Sequence, residues 1–183
     1  MGILIFSGAA DAQEIVFARL ALHLGRFGYG TMVTAAGAGF IAGSVITVML
    51  VHRIPTAWLL GVSSLFSALG YLLHALAPGI GQAVAGLIVL GIFGSLRGIG
   101  FTTYRQHTVP ASHMGRLNNI LGPVEQILAI ALIMRGGILA TKWGIRVTMY
   151  ALTIPQCLFG MVILWLSLSP RLPDFLRKVD APW

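Results

Sequence analysis

The chain has 183 residues, of which 57% are hydrophobic and only 9% are charged, and its mean hydropathy is +0.88. A soluble domain carries about 25% charged residues, so this composition cannot cover a water-facing surface and excludes the ordinary soluble classes. The formal net charge of +7 could indicate nucleic-acid binding, but the twelve Lys and Arg residues are scattered between apolar runs. They fit the loop charges that orient a membrane protein. We therefore expect an integral membrane protein, with lipid and not nucleic acid as its surroundings.

Six apolar stretches follow one another along the chain, and about 20 apolar residues suffice to cross a bilayer as a helix. The first, at about 2–18, is short and polar in its middle, and we interpret it as a helix whose first turns are missing. Five longer stretches follow at about 31–51, 56–76, 83–104, 117–139 and 147–169. Turn or charged residues mark the breaks at 19–30, 52–55, 77–82, 105–116 and 140–146. The pattern predicts an all-α integral membrane bundle of six helices over 1–169, with a polar tail at 170–183.

Charged residues are distributed unevenly among these spans. The second, third and sixth spans contain no Asp, Glu, Lys or Arg. The charges fall on the first span (Asp11 and Glu14), the fourth (Arg97) and the fifth (Glu125 and Arg135). A charge at the bilayer centre costs roughly 2.5–3.5 kcal/mol even on insertion scales. We therefore expect some helices to face lipid and the charged ones to line a polar interior.

The fifth span carries a stripe of polar and small residues. On a helical wheel its members fall within about 60° of one another, and they are Asn118, Gly122, Glu125, Ala129 and Gly136, with Leu132 interrupting the stripe. Glu125 should therefore face a cavity or a neighbouring helix. It could act in transport, as a proton carrier or substrate contact, or make a structural hydrogen bond or ion pair. Arg135 lies about 80° away and near the end of the span, and is expected to reach the interface as an anchor.

The remaining charged positions lie on the fourth and first spans. Arg97 shares a helix face with Leu90, Phe93, Gly94, Phe101 and Tyr104. A cation among aromatic rings suits an amphipathic organic substrate. The alternative is that Arg97 is an internal counter-ion for Glu125 or Asp11. Asp11 and Glu14 are three residues apart on one helix face, together with Ser7, and in a complete transporter they would point toward the cavity or its outer mouth.

Other motifs favour structural roles or exclude chemistry. The spacings Gly39-x3-Gly43 and Gly94-x3-Gly98 are typical of close helix packing. Cys157 is the single cysteine and can form no internal disulfide. His107 and His113 are six residues apart without a further ligand, so no metal or cofactor is expected. An enzyme is disfavoured, because no acid cluster, histidine box or paired nucleophile and base is present.

The orientation follows from the Lys and Arg residues in the breaks and the tail. If the C-terminus is cytoplasmic, the cytoplasmic set is Arg53, Arg105, Arg116, Arg171, Arg177 and Lys178, and the opposite set is Arg19, Arg26, Lys142 and Arg146. Because cytoplasmic loops carry the excess of Lys and Arg, six such residues against four favour a cytoplasmic tail. Arg105, Gly115 and Arg116 would then set the orientation and shape a cytoplasmic turn.

The six spans, the basic loop "VPASHMGR" at 109–116 and the "GIR" break at 144–146 resemble the C-terminal half of a major facilitator superfamily transporter over nearly the whole chain. Within that superfamily, the stretch at 106–146 is most similar to the drug-efflux branch that includes macrolide exporters. The matching positions are Val109-Pro110, Gly115-Arg116, Gly136-Gly137 and Gly144-Ile145-Arg146. The sequence departs from the family in the loop "VHRIP" at 51–55, which lacks the acidic partner of the usual gating motif. It also lacks the N-terminal six-helix half, so the chain resembles a fragment, a truncated product or one part of a split transporter.

The resemblance implies a location, a helix arrangement and a function. The chain would be a multi-pass protein of the plasma (inner) membrane, with 56–76 and 147–169 facing lipid and the other spans lining a central cavity. Pro110, Gly115 and Arg116 would belong to a cytoplasmic-loop motif. The implied function is secondary active export of a small amphipathic compound by proton antiport, with a missing six-helix half as partner. The alternative is a structural or regulatory membrane fragment without transport activity of its own.

Overall fold

The computed structural model of the chain describes residues 2–50, 54–108 and 111–168, and nearly all of them lie in six α-helices. The helices are α1 (Gly2–Leu20), α2 (Arg26–Leu50), α3 (Thr56–Ala75), α4 (Ile80–Thr108), α5 (Ala111–Trp143) and α6 (Ile145–Leu168). No β-strand occurs in these ranges. Helices satisfy their backbone polar groups internally, which a bilayer requires of any lipid-exposed segment. The prediction of an all-α fold with six helices is confirmed.

Five of the six helices in the described ranges, α2 to α6, are long and apolar enough to cross a membrane. This agrees with a multi-pass membrane protein. The exception is α1, whose 19 residues include Asp11, Glu14 and Arg19. One face of α1 is nevertheless buried, mainly against α5 and α6. The first predicted span is therefore a helix packed in the bundle, but its charges set it apart from the other five.

The connections between helices are shorter than the sequence suggested. The break expected at 105–116 is largely helical, because α4 continues to Thr108 and α5 begins at Ala111. The break expected at 19–30 is also shorter, because α1 ends at Leu20 and α2 begins at Arg26. Polar residues such as Gln and Arg are good helix formers, so a helix can continue past the hydrocarbon layer into water. The 33 residues of α5 extend about 50 Å at 1.5 Å per residue.

A single glycine separates α5 from α6. Gly144 has a φ of +87°, a left-handed conformation that glycine adopts without a steric penalty. Its backbone nitrogen donates to the carbonyl of Ala140, which closes the last turn of α5. The expected break at 140–146 is thus reduced to one residue that reverses the chain.

Arg146, just after this reversal, connects three parts of the bundle. Its Nη1 donates to the carbonyl of Ala77 and its Nη2 to the carbonyl of Ala21, both at 3.2 Å. Its guanidinium carbon also lies 5.9 Å from the centre of the Phe17 ring. The side chain satisfies carbonyls that follow α1 and α3, and so it fixes one end of the bundle.

The helices pack in a defined order, with α4 between α2 and α3, α3 against α6, and α6 against α1 and α5. The contact of α2 with α4 is made by backbone on both sides. A Cβ atom on Gly39 would lie 2.7 Å from the carbonyl oxygen of Ile88, and one on Gly91 would lie 2.5 Å from that of Ala36. Gly39-x3-Gly43 is therefore a packing motif, as predicted. The prediction for Gly94-x3-Gly98 is wrong, because a Cβ on Gly98 would meet no atom within 4 Å.

The expectation that spans 56–76 and 147–169 face lipid is wrong for most of α3. Within the bundle, 56% of the α3 span is buried, against 6% for α5. The side chains of Ser63, Ser64, Ser67 and His74 are at most 2% exposed. Polar groups of this kind favour the interior of a membrane bundle over lipid, and α4 and α6 cover α3 on two sides. Among the described side chains of α3, the exposed large apolar ones form one stripe, which consists of Trp58, Phe66, Leu69 and Leu73.

Candidate functional site

A cavity of about 600 Å³ lies in the half of the bundle where α1 and α3 begin and where α4 and α6 end. Its lining comes from five helices, which are all except α2. The lining residues are Ile3, Leu4, Leu60, Ser64, Arg97, Gly98, Phe101, Thr102, Tyr104, Arg105, Glu125, Ile163, Leu166 and Ser167. In the orientation expected from the loop charges, this is the cytoplasmic half. The volume is within the range of small-molecule sites.

Two of the predicted site residues meet in this cavity, Arg97 from α4 and Glu125 from α5. They form no ion pair within 4.0 Å, and neither pairs in this way with any other described residue. The Nε atom of Arg97 and the Oε1 atom of Glu125 are both buried, and within the described ranges neither has a hydrogen-bond partner. The counter-ion interpretation of Arg97 therefore fails for a direct pair with Glu125. The two side chains therefore line the same cavity as separate groups.

The polar and small stripe of α5 faces the bundle, as predicted. Gly122, Glu125 and Ala129 are partly buried and Gly136 is buried, whereas most of α5 is exposed. A Cβ atom on Gly136 would lie 3.4 Å from Nε2 of Gln13, so this end of the stripe packs against α1. The end that contains Glu125 faces the cavity instead.

Arg135 is exposed on α5 and does not line the cavity. Its exposure agrees with the predicted anchoring role. The prediction that it lies near the end of the helix is wrong. The helix continues for eight more residues to Trp143, which is about 12 Å at 1.5 Å per residue. The span predicted from the apolar pattern ends at about residue 139, whereas α5 ends at Trp143.

The aromatic face predicted around Arg97 is divided between two environments. Phe101 and Tyr104 line the cavity together with Arg97. Phe93 instead stacks on Phe66 of α3, with ring centres 4.8 Å apart. Within the cavity, the guanidinium carbon of Arg105 lies 5.6 Å from the centre of the Phe101 ring, a distance at which cation–π attraction acts.

Asp11 and Glu14 lie outside this cavity. The carboxylate of Asp11 accepts a hydrogen bond from the phenol of Tyr71 on α3, and the same hydroxyl lies 3.4 Å from the carbonyl oxygen of Ser7. Arg97 is within electrostatic range of Asp11 and Tyr71. Glu14 is half-buried, and its Oε1 atom has no partner within the described ranges. Asp11 is thus fixed by a tyrosine that the sequence analysis did not single out.

A periodic signal could have found Tyr71. Ser64, Ser67, Tyr71 and His74 recur every three or four residues along α3, and all four are at most 5% exposed. Such spacing places them on one helix face. A count of Asp, Glu, Lys and Arg does not detect this stripe, because the span contains none of them. The buried polar face of α3 therefore consists of Ser, Tyr and His side chains and contains no Asp, Glu, Lys or Arg.

The remaining predicted site residues lie in or beside the first turns of α5. Pro110 is outside the described residues, and so are the side chains of Arg116 and Asn118, although their backbone is helical. Gly115 is also helical and exposed, with no atom within 4 Å of a Cβ placed on it. The prediction that Gly115 and Arg116 shape a turn is wrong, since both continue the helix.

Comparison of the chain with known proteins leaves the family open. No model of a protein family matches the sequence, and no curated protein matches it.

Proposed function

We propose that the chain is a secondary active transporter, the C-terminal half of a major facilitator superfamily-like exporter in the plasma (inner) membrane. Its substrate would be a small amphipathic compound, moved in exchange for protons. The observation that carries the proposal is the cavity itself. Four membrane-length helices, together with α1, line a cavity of about 600 Å³ to which Arg97 and Glu125 contribute. Ionisable groups within membrane spans are rare, and those that face a cavity are candidates for a substrate or proton path.

Glu125 is the proposed proton carrier. Glu125 is the one carboxyl group among the described residues that line the cavity. A carboxyl group at such a place can bind a proton from one side and release it to the other when the cavity changes its opening. Asp11 is the second candidate, because Tyr71 holds its carboxylate within electrostatic range of Arg97.

A six-helix partner would complete the transporter. In folds built from two repeats, substrate sites lie at the interface between the repeats. The helices α2 and α5 are the least buried of the five candidate spans, at 17% and 6%. They would supply the surface on which an N-terminal half could dock.

Substrate retention in cells tests this proposal. Fluorescent amphipathic compounds are loaded into cells that express the chain alone, the chain with a six-helix N-terminal half, or neither. We expect retention to fall only when both halves are present, and an uncoupler of the proton gradient should restore it. No change with both halves present would favour the structural or regulatory fragment. Strong efflux by the chain alone would contradict the half-transporter.

Glu125→Gln tests the proton role in vesicles that contain the active pair. The variant should still bind substrate but lose its acceleration by an imposed pH gradient, and Glu125→Asp should keep part of that acceleration. Arg135→Gln is the matched control, because Arg135 is on the same helix and outside the cavity. An unchanged pH dependence in Glu125→Gln would leave Glu125 a structural contact and move attention to Asp11.

A further inference from the structure

Four of the helices, α2, α3, α4 and α6, are joined by contacts between backbones. A Cβ atom on Gly70 of α3 would lie 2.6 Å from the backbone nitrogen of Leu90 on α4. One on Gly160 of α6 would lie 3.0 Å from the Cα atom of Leu65 on α3, and the contact of α2 with α4 is of the same kind. Small residues permit this close approach, and backbone atoms have no alternative rotamers that would let a neighbour shift. We call these four helices the core unit.

The other two helices, α1 and α5, are attached through side chains. A Cβ atom on Gly2 of α1 would lie 3.2 Å from the ring of Phe159 on α6, and one on Gly136 of α5 would lie 3.4 Å from the side chain of Gln13 on α1. Side chains can change rotamer, so such contacts tolerate small displacements of a helix. The other described glycines of α1 and α5 would place a Cβ within 4 Å of no atom, and they are Gly8, Gly115, Gly122 and Gly137.

The pair of α1 and α5 is fixed at one end of the bundle and borders the cavity at the other. At the fixed end, Phe17 of α1 and Ala140 of α5 belong to one apolar cluster with residues of α3 and α6. Arg146 donates there to the carbonyls that follow α1 and α3. At the opposite end the pair contributes Ile3 and Glu125 to the cavity lining, most of which comes from the core unit.

We propose that α1 and α5 move together against the core unit, pivoting about the end that Arg146 fixes and changing the width of the cavity at the other end. Hinge movements and small sliding movements of packed helices are common ways of opening and closing a site. The inference goes beyond the proposed function and does not depend on it, because it follows from helix packing and needs neither a substrate nor a partner chain.

The movement would change the surroundings of the membrane acids. All three acidic residues of the described ranges, Asp11, Glu14 and Glu125, are on the moving pair. Arg97 and Tyr71 are on the core unit. A tilt of the pair would therefore alter the distance of Glu125 from Arg97 and that of Asp11 from Tyr71. Opening of the cavity and the contacts of these carboxyl groups would change together.

Distances between spin labels test the movement in the full chain in nanodiscs. Cys157→Ser removes the only native cysteine, and pairs of cysteines then carry the labels for electron paramagnetic resonance in frozen samples. Val48 on α2 and Ile127 on α5 report on the cavity end, whereas Val33 and Ile138 report on the fixed end of the same two helices. All four side chains are exposed, so labels there do not disturb the packing. We expect a second, longer distance for Val48 with Ile127 and a single narrow distribution for Val33 with Ile138.

Two further pairs are the matched controls, and they share a label with the first pair. Val48 with Trp165 on α6 lies within the core unit, and Ile127 with Leu4 on α1 lies within the moving pair. Trp165 and Leu4 are exposed as well. Both controls should give narrow distributions, because neither crosses the boundary between the two units.

Each departure from this pattern would overturn a stated part of the inference. A distribution for Val48 with Ile127 as narrow as that for Val48 with Trp165 would rule out the movement. Equal broadening at the cavity end and the fixed end would rule out the pivot. A broad distribution for Ile127 with Leu4 would show that α5 moves without α1, and a broad one for Val48 with Trp165 would rule out a rigid core unit.

Discussion

Replacement of Gly39 by alanine should weaken the bundle by forcing α2 away from α4. A Cβ atom at this position would lie 2.7 Å from the carbonyl oxygen and 3.1 Å from the Cα atom of Ile88. Both contacted atoms are backbone, so no rotation of a side chain can relieve the overlap. Overpacking of a well-packed interior costs about 1–3 kcal/mol, and we expect the contact that the added Cβ makes in Gly39→Ala to cost about 2 kcal/mol.

Gly37→Ala is the matched control, because a Cβ atom at Gly37 on the same helix would meet no atom within 4 Å. Alanine is favoured over glycine within a helix by about 1 kcal/mol, and this gain applies to both variants. The difference between them therefore isolates the contact with Ile88. At about 2–4 °C per kcal/mol for a chain of this size, Gly39→Ala should unfold about 4–8 °C below the control.

The chain contains its own probe for this measurement. Cys157 is the only cysteine in the sequence, and it is 8% exposed on α6. A maleimide dye that becomes fluorescent on reaction with thiols will label Cys157 as the bundle opens during heating in detergent. Equal midpoints for Gly39→Ala and Gly37→Ala would refute the backbone contact between α2 and α4.

The same thermal assay checks two polar contacts, and reporter fusions check the topology. Tyr71→Phe removes the hydrogen bond to Asp11, and it should lower stability by about 1.5–3 kcal/mol, the range for a bond to a charged group; a midpoint equal to that of the parent chain would argue against the contact. Arg146→Met keeps most of the side-chain volume but leaves two carbonyls without their donor, and a loss of about 1–3 kcal/mol is expected for each buried carbonyl that stays unpaired. Phosphatase and fluorescent-protein fusions should place the loop 77–82 outside and the C-terminal tail inside, and a phosphatase-active tail would reverse the orientation.

The sequence alone was enough to predict membrane helices and the inward face of α5. Long apolar runs leave few alternatives in a bilayer, because only a helix satisfies every backbone polar group within one segment. The position of Glu125 on the inward stripe followed from helical periodicity, which needs no knowledge of neighbouring helices. Both properties are local, and each depends on residues within a few turns.

Properties that depend on neighbouring helices required the tertiary structure. The cavity joins Arg97 and Glu125 from separate helices, and no spacing in the sequence gives the distance between them. The same holds for Gly98, which has packing-motif spacing but meets no neighbouring helix, and for Tyr71, whose partner lies 60 residues away on α1. Helix boundaries were also misjudged, since α5 continues through polar residues that a hydropathy pattern assigns to loops. Contacts between helices depend on the rotation and register of each helix against the others. Those are set by the packing of the whole bundle, and they decide which polar groups share a cavity.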